Sequence, residues 1–303
     1  MYDIIVIGGG PAGLTAGIFA RRASKKVLIL EDKACGGLIL QASKIENYPA
    51  CPNISGSDYA INLYNQTKEL GAEFKFERAI DIKDLGNHKE VVTNNNVYQG
   101  KTIILATGSE NRKLGLSNED ELVGRGVSYC ATCDGMFFKG KDVAVVGGGD
   151  TAIDDARYLS DIANKVYLIH RRDTFKAETE EVEEIKRKEN IGFILNSNVI
   201  KLNTTDNKLS SIEVKNNDGS IREINVSGIF VAVGRIPENQ NFSKLINLDK
   251  NGYIIAGEDC HTNIDGIFVA GDNRVKELRQ LVTATSDGAM AATEAIKYMN
   301  KKN

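Results

Sequence analysis

One pattern occurs twice in this chain at a constant offset, and it leaves few folds open. Ile4, Ile5, Val6 and Ile7 form a continuous apolar run, suited to a strand buried on both faces. Gly8-Gly9-Gly10-Pro11-Ala12-Gly13 follows, and Leu14, Ile18 and Phe19 then recur at helical spacing. Val27, Leu28, Ile29 and Leu30 make a second buried strand, closed by Glu31. The same unit returns as an apolar strand over 143–146, the turn Gly147-Gly148-Gly149-Asp150-Thr151-Ala152, a helix over 153–163 and a strand over 166–169 closed by His170. Gly8 and Gly147 are 139 positions apart, and so are Glu31 and His170. A shared spacing of strand, turn, helix and strand end identifies two dinucleotide-binding βαβ units. The fold class is therefore read as α/β, with two Rossmann-like domains.

Each unit is expected to carry a β-meander and a returning strand. Residues 72–105 read as short strands with polar turns, closing at Ala106-Thr107-Gly108. Residues 209–226 read as a hairpin around Asn216-Asn217-Asp218-Gly219, followed by an apolar strand over 229–233. The stretch 178–188 places Glu183/Arg187 and Glu184/Lys188 at i,i+4 and reads as a solvated helix face. A net charge of −3 gives no broad basic face for nucleic acid. No run approaches the roughly 20 apolar residues of a membrane helix. The N-terminus lacks the basic and apolar regions of a secretory signal. The expected setting is cytoplasmic, where thiols are kept reduced.

The two turns differ in charge. In G-x-G-x-x-G, the first Gly makes the tight turn, the second lets a pyrophosphate approach, and the third lets helix and strand pack closely. Gly8, Gly10 and Gly13 fill these places, and Glu31 stands where a carboxylate accepts hydrogen bonds from a ribose diol. That charge repels a 2′-phosphate, so the first site favours FAD or NAD(H). Gly147, Gly149 and Ala152 form the second motif, and the position matching Glu31 holds His170, followed by Arg171 and Arg172. Paired guanidiniums suit a phosphate dianion, which predicts NADPH over NADH. Hydride transfer from NADPH to a bound flavin is the simplest reading of two such sites.

The chemistry between them falls to Cys130-Ala131-Thr132-Cys133-Asp134-Gly135. Two thiols at this spacing can close a small, reducible disulfide. Zinc requires four ligands, and neither a second CxxC nor a His at ligand spacing is present. Asp134 is placed to hand protons to a leaving thiolate or to a flavin. Cys35, Cys51 and Cys260 have no partner at motif spacing and read as small hydrophobes or spare thiols.

These segments, with Glu46-Asn47-Tyr48-Pro49, Ala270-Gly271-Asp272 and Arg279-Gln280, closely resemble the low-molecular-weight, bacterial-type thioredoxin reductases from end to end. The resemblance implies an FAD domain of residues 1–112 and 243–303, with an NADPH domain over 116–240 inserted into it. It implies FAD contacts from Gly8, Gly10, Pro11, Ala12, Gly13, Glu31, Gln41, Asn47, Asp272, Arg279 and Gln280. NADPH would be held by Gly147, Gly149, Asp150, Thr151, Ala152, His170, Arg171, Arg172 and Lys176. Cys133 would face the flavin, Asp134 would be the general acid, the substrate would be thioredoxin, and the protein would be a cytoplasmic homodimer. Three positions depart from the family pattern: Lys176 replaces an arginine, Leu38 follows Gly36-Gly37 where Gln is usual, and Asn273-Arg274-Val275 differs from the common loop. The rival readings are a flavin reductase fed by ferredoxin or serving another small redox protein, and a non-catalytic redox-sensing flavoprotein. The intact second nucleotide motif argues against both.

Overall fold

The continuous apolar runs become central parallel strands, and the glycine turns sit at the ends of those strands. The structure is a computed structural model that describes every residue except Ser43, Pro52, Glu178 and Asn303. The chain forms two units, Met1–Glu110 with Ile236–Asn303, and Asn111–Arg235. In the first unit, β1 (Tyr2–Ile7), α1 (Pro11–Arg22), β2 (Val27–Glu31), α2 (Gly56–Glu69) and β3 (Glu73–Phe76) precede the meander β4 (Ala79–Asp84), β5 (Lys89–Thr93) and β6 (Val97–Leu105). The chain leaves it through β7 (Ser109–Asn111). The second unit holds β8 (Val127–Ser128), α3 (Ala131–Asp134), β9 (Asp142–Gly147), α4 (Asp150–Ser160), β10 (Lys165–Ile169), α5 (Thr179–Lys186) and β11 (Ile191–Ile194). Its meander is β12 (Ser197–Thr205), β13 (Lys208–Asn216) and β14 (Ile221–Asn225), and β15 (Gly228–Ala232) returns to the parallel sheet. After β16 (Arg235–Pro237), β17 (Ile267–Val269) and the long α6 (Leu281–Lys302) complete the first unit.

The first sheet runs β3-β2-β1-β6-β5-β4, with β17 also on β6. The second runs β11-β10-β9-β15-β8. The duplication survives at the level of register: Ile7 stands opposite Leu30, and Val146 opposite Ile169. Ile4, Ile5, Val6 and Ile7 are at most 5% exposed, as a strand covered on both faces requires. Each unit carries two buried apolar clusters of its own, one on each side of its parallel sheet. Among the described residues, no helix is long and apolar enough to cross a membrane.

Some local expectations shift. Leu14 and Ile18 are buried, but Phe19 is 45% exposed on the outer face of α1. The helix expected over 153–163 starts at Asp150, because Gly149 already caps it, and ends at Ser160. The expected i,i+4 pairs after 178 do not form, since α5 ends at Lys186. Glu184 instead meets Arg157 at 3.4 Å, and Lys188 meets Asp161 at 2.5 Å. Val182 and Ile185 are buried, so this helix packs one face rather than lying wholly in solvent. Glu178 itself lies outside the described residues.

Candidate active site

The three glycines of the first turn do three different things. Gly8 has φ +110°, and a Cβ there would lie 2.2 Å from the Ala106 carbonyl oxygen. A Cβ on Gly13 would lie 1.9 Å from the Gly8 carbonyl oxygen, so only glycine lets α1 seat on the turn. Above Gly10 there is no atom within 4 Å. Open space over the second glycine, at the N-cap of α1, is the cradle a pyrophosphate needs. Pro11 occupies the first turn of α1, where its missing N–H costs nothing. Glu31 ends β2 with its carboxylate at this turn, accepting from the N–H of Gly9 at 2.7 Å and of Lys33 at 2.9 Å. A cleft of 280 Å³ opens beside it, lined by Gly8, Glu31, Arg78 and Ala79 among others. The residues present therefore fit a dinucleotide.

Far along the sequence, further candidates of this unit meet. Asn47 donates from Nδ2 to Gln280 Oε1 at 3.2 Å. Gln280 directly precedes α6, its carbonyl accepting from Ala284 N–H at 2.9 Å. Arg279 donates from Nε to the Asp272 carbonyl at 3.4 Å, with its guanidinium 4.2 Å from the Tyr253 ring centroid. Ala12 is pinched between Gly271 and Gly288, whose Cβ atoms would come within 2.9 Å and 2.1 Å of Ala12 atoms. That contact brings the Asp272 turn and α6 to the start of α1. Gln41 is exposed at the end of the short helical turn Gly37–Gln41.

The second turn repeats the division of labour. A Cβ on Gly147 would lie 2.3 Å from the Ala232 carbonyl oxygen, whereas Gly149 faces open space. Ala152, in the third place, is fully buried, while Asp150 and Thr151 are exposed in the first turn of α4. His170 is buried beneath this loop. A Cβ on Gly148 would fall 2.2 Å from its ring, and the ring stacks on Phe175. Burial, opposed by the hydrogen bond with the Thr174 carbonyl and reinforced by the neighbouring Arg171, Arg172 and Lys176 charges, pushes the His170 pKa down and so favours the neutral ring. His170 thus shapes the loop, and the exposed Arg171, Arg172 and Lys176 carry the positive charge. The Lys176 N–H donates to the Gly148 carbonyl at 2.7 Å, stitching that basic loop to the glycine turn.

Cys130 and Cys133 form a disulfide, with Cys133 inside the short helix α3. Asp134 closes that helix. Burial raises its carboxyl pKa, partly opposed by the Ser128 hydroxyl, which donates to Oδ2 at 2.6 Å. Ser128 also accepts from the Cys130 N–H at 3.1 Å, so one side chain at the end of β8 fixes both the cysteine and the acid. Sequence reasoning missed Ser128, because nothing at six residues' separation marks such a bond. It also missed Met136 and Phe137, 51% and 40% exposed directly after the pair. Cys260 is buried, and Cys35 and Cys51 are half-buried. Burial pushes the Cys35 and Cys260 thiols up to about 12, which leaves them inert.

This geometry has parallels in known proteins. Residues 2–288 match the pyridine nucleotide-disulphide oxidoreductase family. A thioredoxin reductase of Listeria innocua is 41% identical over 302 residues, covering 99% of this chain and 95% of the relative. That of Bacillus subtilis is 36% identical over the same length, covering 99% of this chain and 96% of its own. The solved structure of thioredoxin reductase from Streptococcus pyogenes superposes with a TM-score of 0.95 at 38% identity, covering 99% of both chains. With a CxxC disulfide that lies in sequence between two nucleotide-type turns, and relatives matched over 95% or more of their length, the chain belongs to the pyridine nucleotide-disulphide oxidoreductases, as one of their thioredoxin reductases.

Proposed function

We propose that this protein transfers a hydride equivalent from NADPH, through FAD, to the Cys130–Cys133 disulfide, and that the resulting dithiol reduces the disulfide of thioredoxin. The observation that carries the reading is the Cys130–Cys133 disulfide beside the half-buried Asp134 acid, in a chain whose two glycine turns end in opposite charges. When bound, the flavin supplies the relay between a two-electron hydride donor and a thiol couple. Everything else falls to side chains of this chain. Gly10 and the start of α1 receive the FAD pyrophosphate, Glu31 the ribose, and Asp272, with Asn47, Arg279 and Gln280 near it, the ribityl and ring portion. Gly149 and α4 receive the NADPH pyrophosphate, and Arg171, Arg172 and Lys176 its 2′-phosphate. Asp134, whose carboxyl pKa burial raises against the pull of the Ser128 hydroxyl, is the group that delivers a proton to the thiolate that leaves when the disulfide opens. One Cys thiolate then attacks the thioredoxin disulfide, and the other resolves the mixed disulfide, restoring Cys130–Cys133 and releasing dithiol thioredoxin. The balance is NADPH, a proton and one protein disulfide in, and NADP⁺ and one dithiol out.

The reading includes a homodimer and a cytoplasmic location, which the solution mass and cell fractionation check. The central test is spectroscopic. Anaerobic NADPH should bleach the flavin band of the purified protein, and oxidised thioredoxin should restore it. Cys133→Ser should bleach but fail to turn over thioredoxin. Absence of bleaching in the wild type, or wild-type turnover in the variant, overturns the assignment.

A further inference from the structure

Among the described residues, the largest fully buried side chain is a charged one. Arg274 is 1% exposed, and it was visible in the sequence only as a departure from a loop pattern. Its guanidinium grips Asp287 of α6 with two bonds, Nε to Oδ2 at 2.8 Å and Nη2 to Oδ1 at 2.9 Å. Lys276, itself nearly buried, adds Nζ to Oδ2 at 2.9 Å. The same Oδ2 accepts the backbone N–H of Gly271 at 3.0 Å. Burial alone would raise the Asp287 pKa, but the Arg274 and Lys276 hydrogen bonds overcome it and hold the group an anion.

A buried ion pair is poor evidence for stability, since apolar residues of the same volume often stabilise as well. What an apolar pair lacks is direction. Here the carboxylate aims at one backbone N–H, that of the residue preceding Asp272. On the other side of Asp272, Asn273 donates from Nδ2 to the Leu105 carbonyl at 3.1 Å and to Thr107 Oγ1 at 3.0 Å. Asp272 is thus gripped from both flanks. Gly288, next to Asp287, touches Ala12 at the start of α1, so the same grip sets the Asp272 turn against the first glycine turn.

We propose that Asp287, locked by Arg274 and Lys276, is a positioning residue for flavin binding, fixing where the Asp272 carboxylate stands relative to the Gly8–Gly13 turn. The proposal rests on the reading that Asp272 holds the flavin, and Asp272→Ala tests that reading separately.

Holoprotein variants Asp287→Asn and Arg274→Lys decide the matter, with the FAD dissociation constant, the absorption maxima of the bound flavin at saturating FAD, and the melting of the apoprotein as readouts. Asp287→Asn keeps the volume and removes the charge, and should weaken FAD binding by about tenfold or more. Arg274→Lys keeps the charge and loses the fork, and should weaken it by about threefold. Both should shift the bound flavin spectrum even when saturated, which a loss of stability alone would not do. Should Asp287→Asn fail to fold, Arg274→Lys still decides. A folded variant with wild-type affinity and spectrum overturns the proposal. Wild-type affinity in Asp272→Ala overturns the underlying reading instead.

Discussion

Asp134 is where a single residue's environment makes a measurable statement. Its carboxyl pKa is raised, first by burial, against the lowering pull of the Ser128 hydroxyl. The folded state therefore holds this proton at pH values where the unfolded state has released it. Stability then falls as pH rises from the ordinary carboxyl range through the raised value. Asp134→Asn should remove that fall, seen as a flatter profile of melting temperature against pH. It should also lower thioredoxin turnover by about 10²-fold or more, because the proton donor is gone. The rate of flavin bleaching by NADPH should not change. Ser128→Ala removes the bond that favours the carboxylate, so the Asp134 pKa should move further up in the pH–rate profile. An unmoved profile would take Ser128 out of this role. Residue type and spacing sufficed to single out Asp134 from the CxxC motif. Its partner was hidden, because the Ser128–Asp134 bond depends on how β8 enters α3.

At the scale of elements, periodicity and turn chemistry were enough for the strand–turn–helix units, because burial on both faces writes itself as an unbroken apolar run. The glycine roles were legible too, since each place in the motif answers to a separate steric demand, now seen as a clash, an open space and a clash. Side-chain direction at a strand end was not legible. His170 and Glu31 occupy matching positions, but the Glu31 carboxylate accepts from Gly9 while the His170 ring turns under Gly148 and stacks on Phe175. The exposed charges at the end of β10 are those of Arg171, Arg172 and Lys176, and the proposed reading gives them the 2′-phosphate. Replacing Arg171 and Arg172 together with Ala should raise KM for NADPH by roughly 10²- to 10⁴-fold, since each charged hydrogen bond is worth about 1.5–3 kcal/mol. KM for NADH should stay near its wild-type value. Equal losses for both nucleotides would show that the arginines support the loop rather than read the phosphate.

At the scale of the whole molecule, the inserted unit is built to stand alone. Asn111–Arg235 contains two complete apolar clusters, one on each face of its five-stranded sheet. Its two ends are tied together within the unit, the Arg112 N–H donating to the Gly234 carbonyl at 3.0 Å. Adjacent termini and a private core are the conditions under which a segment can be inserted into, or excised from, another fold. The duplicated motif announced two domains. The exact points of insertion were less legible, because short strands such as β7 and β16 carry too few residues for any periodicity. Expressed alone, residues 111–235 should unfold cooperatively and bind NADPH in preference to NADH through Arg171 and Arg172, while binding no FAD. The Cys130–Cys133 disulfide should form in it and yield to a chemical reductant, but NADPH should leave it oxidised. A non-cooperative melt would show that its core depends on the remainder of the chain. Reduction of the disulfide by NADPH in the excised unit would remove the flavin from the electron path altogether.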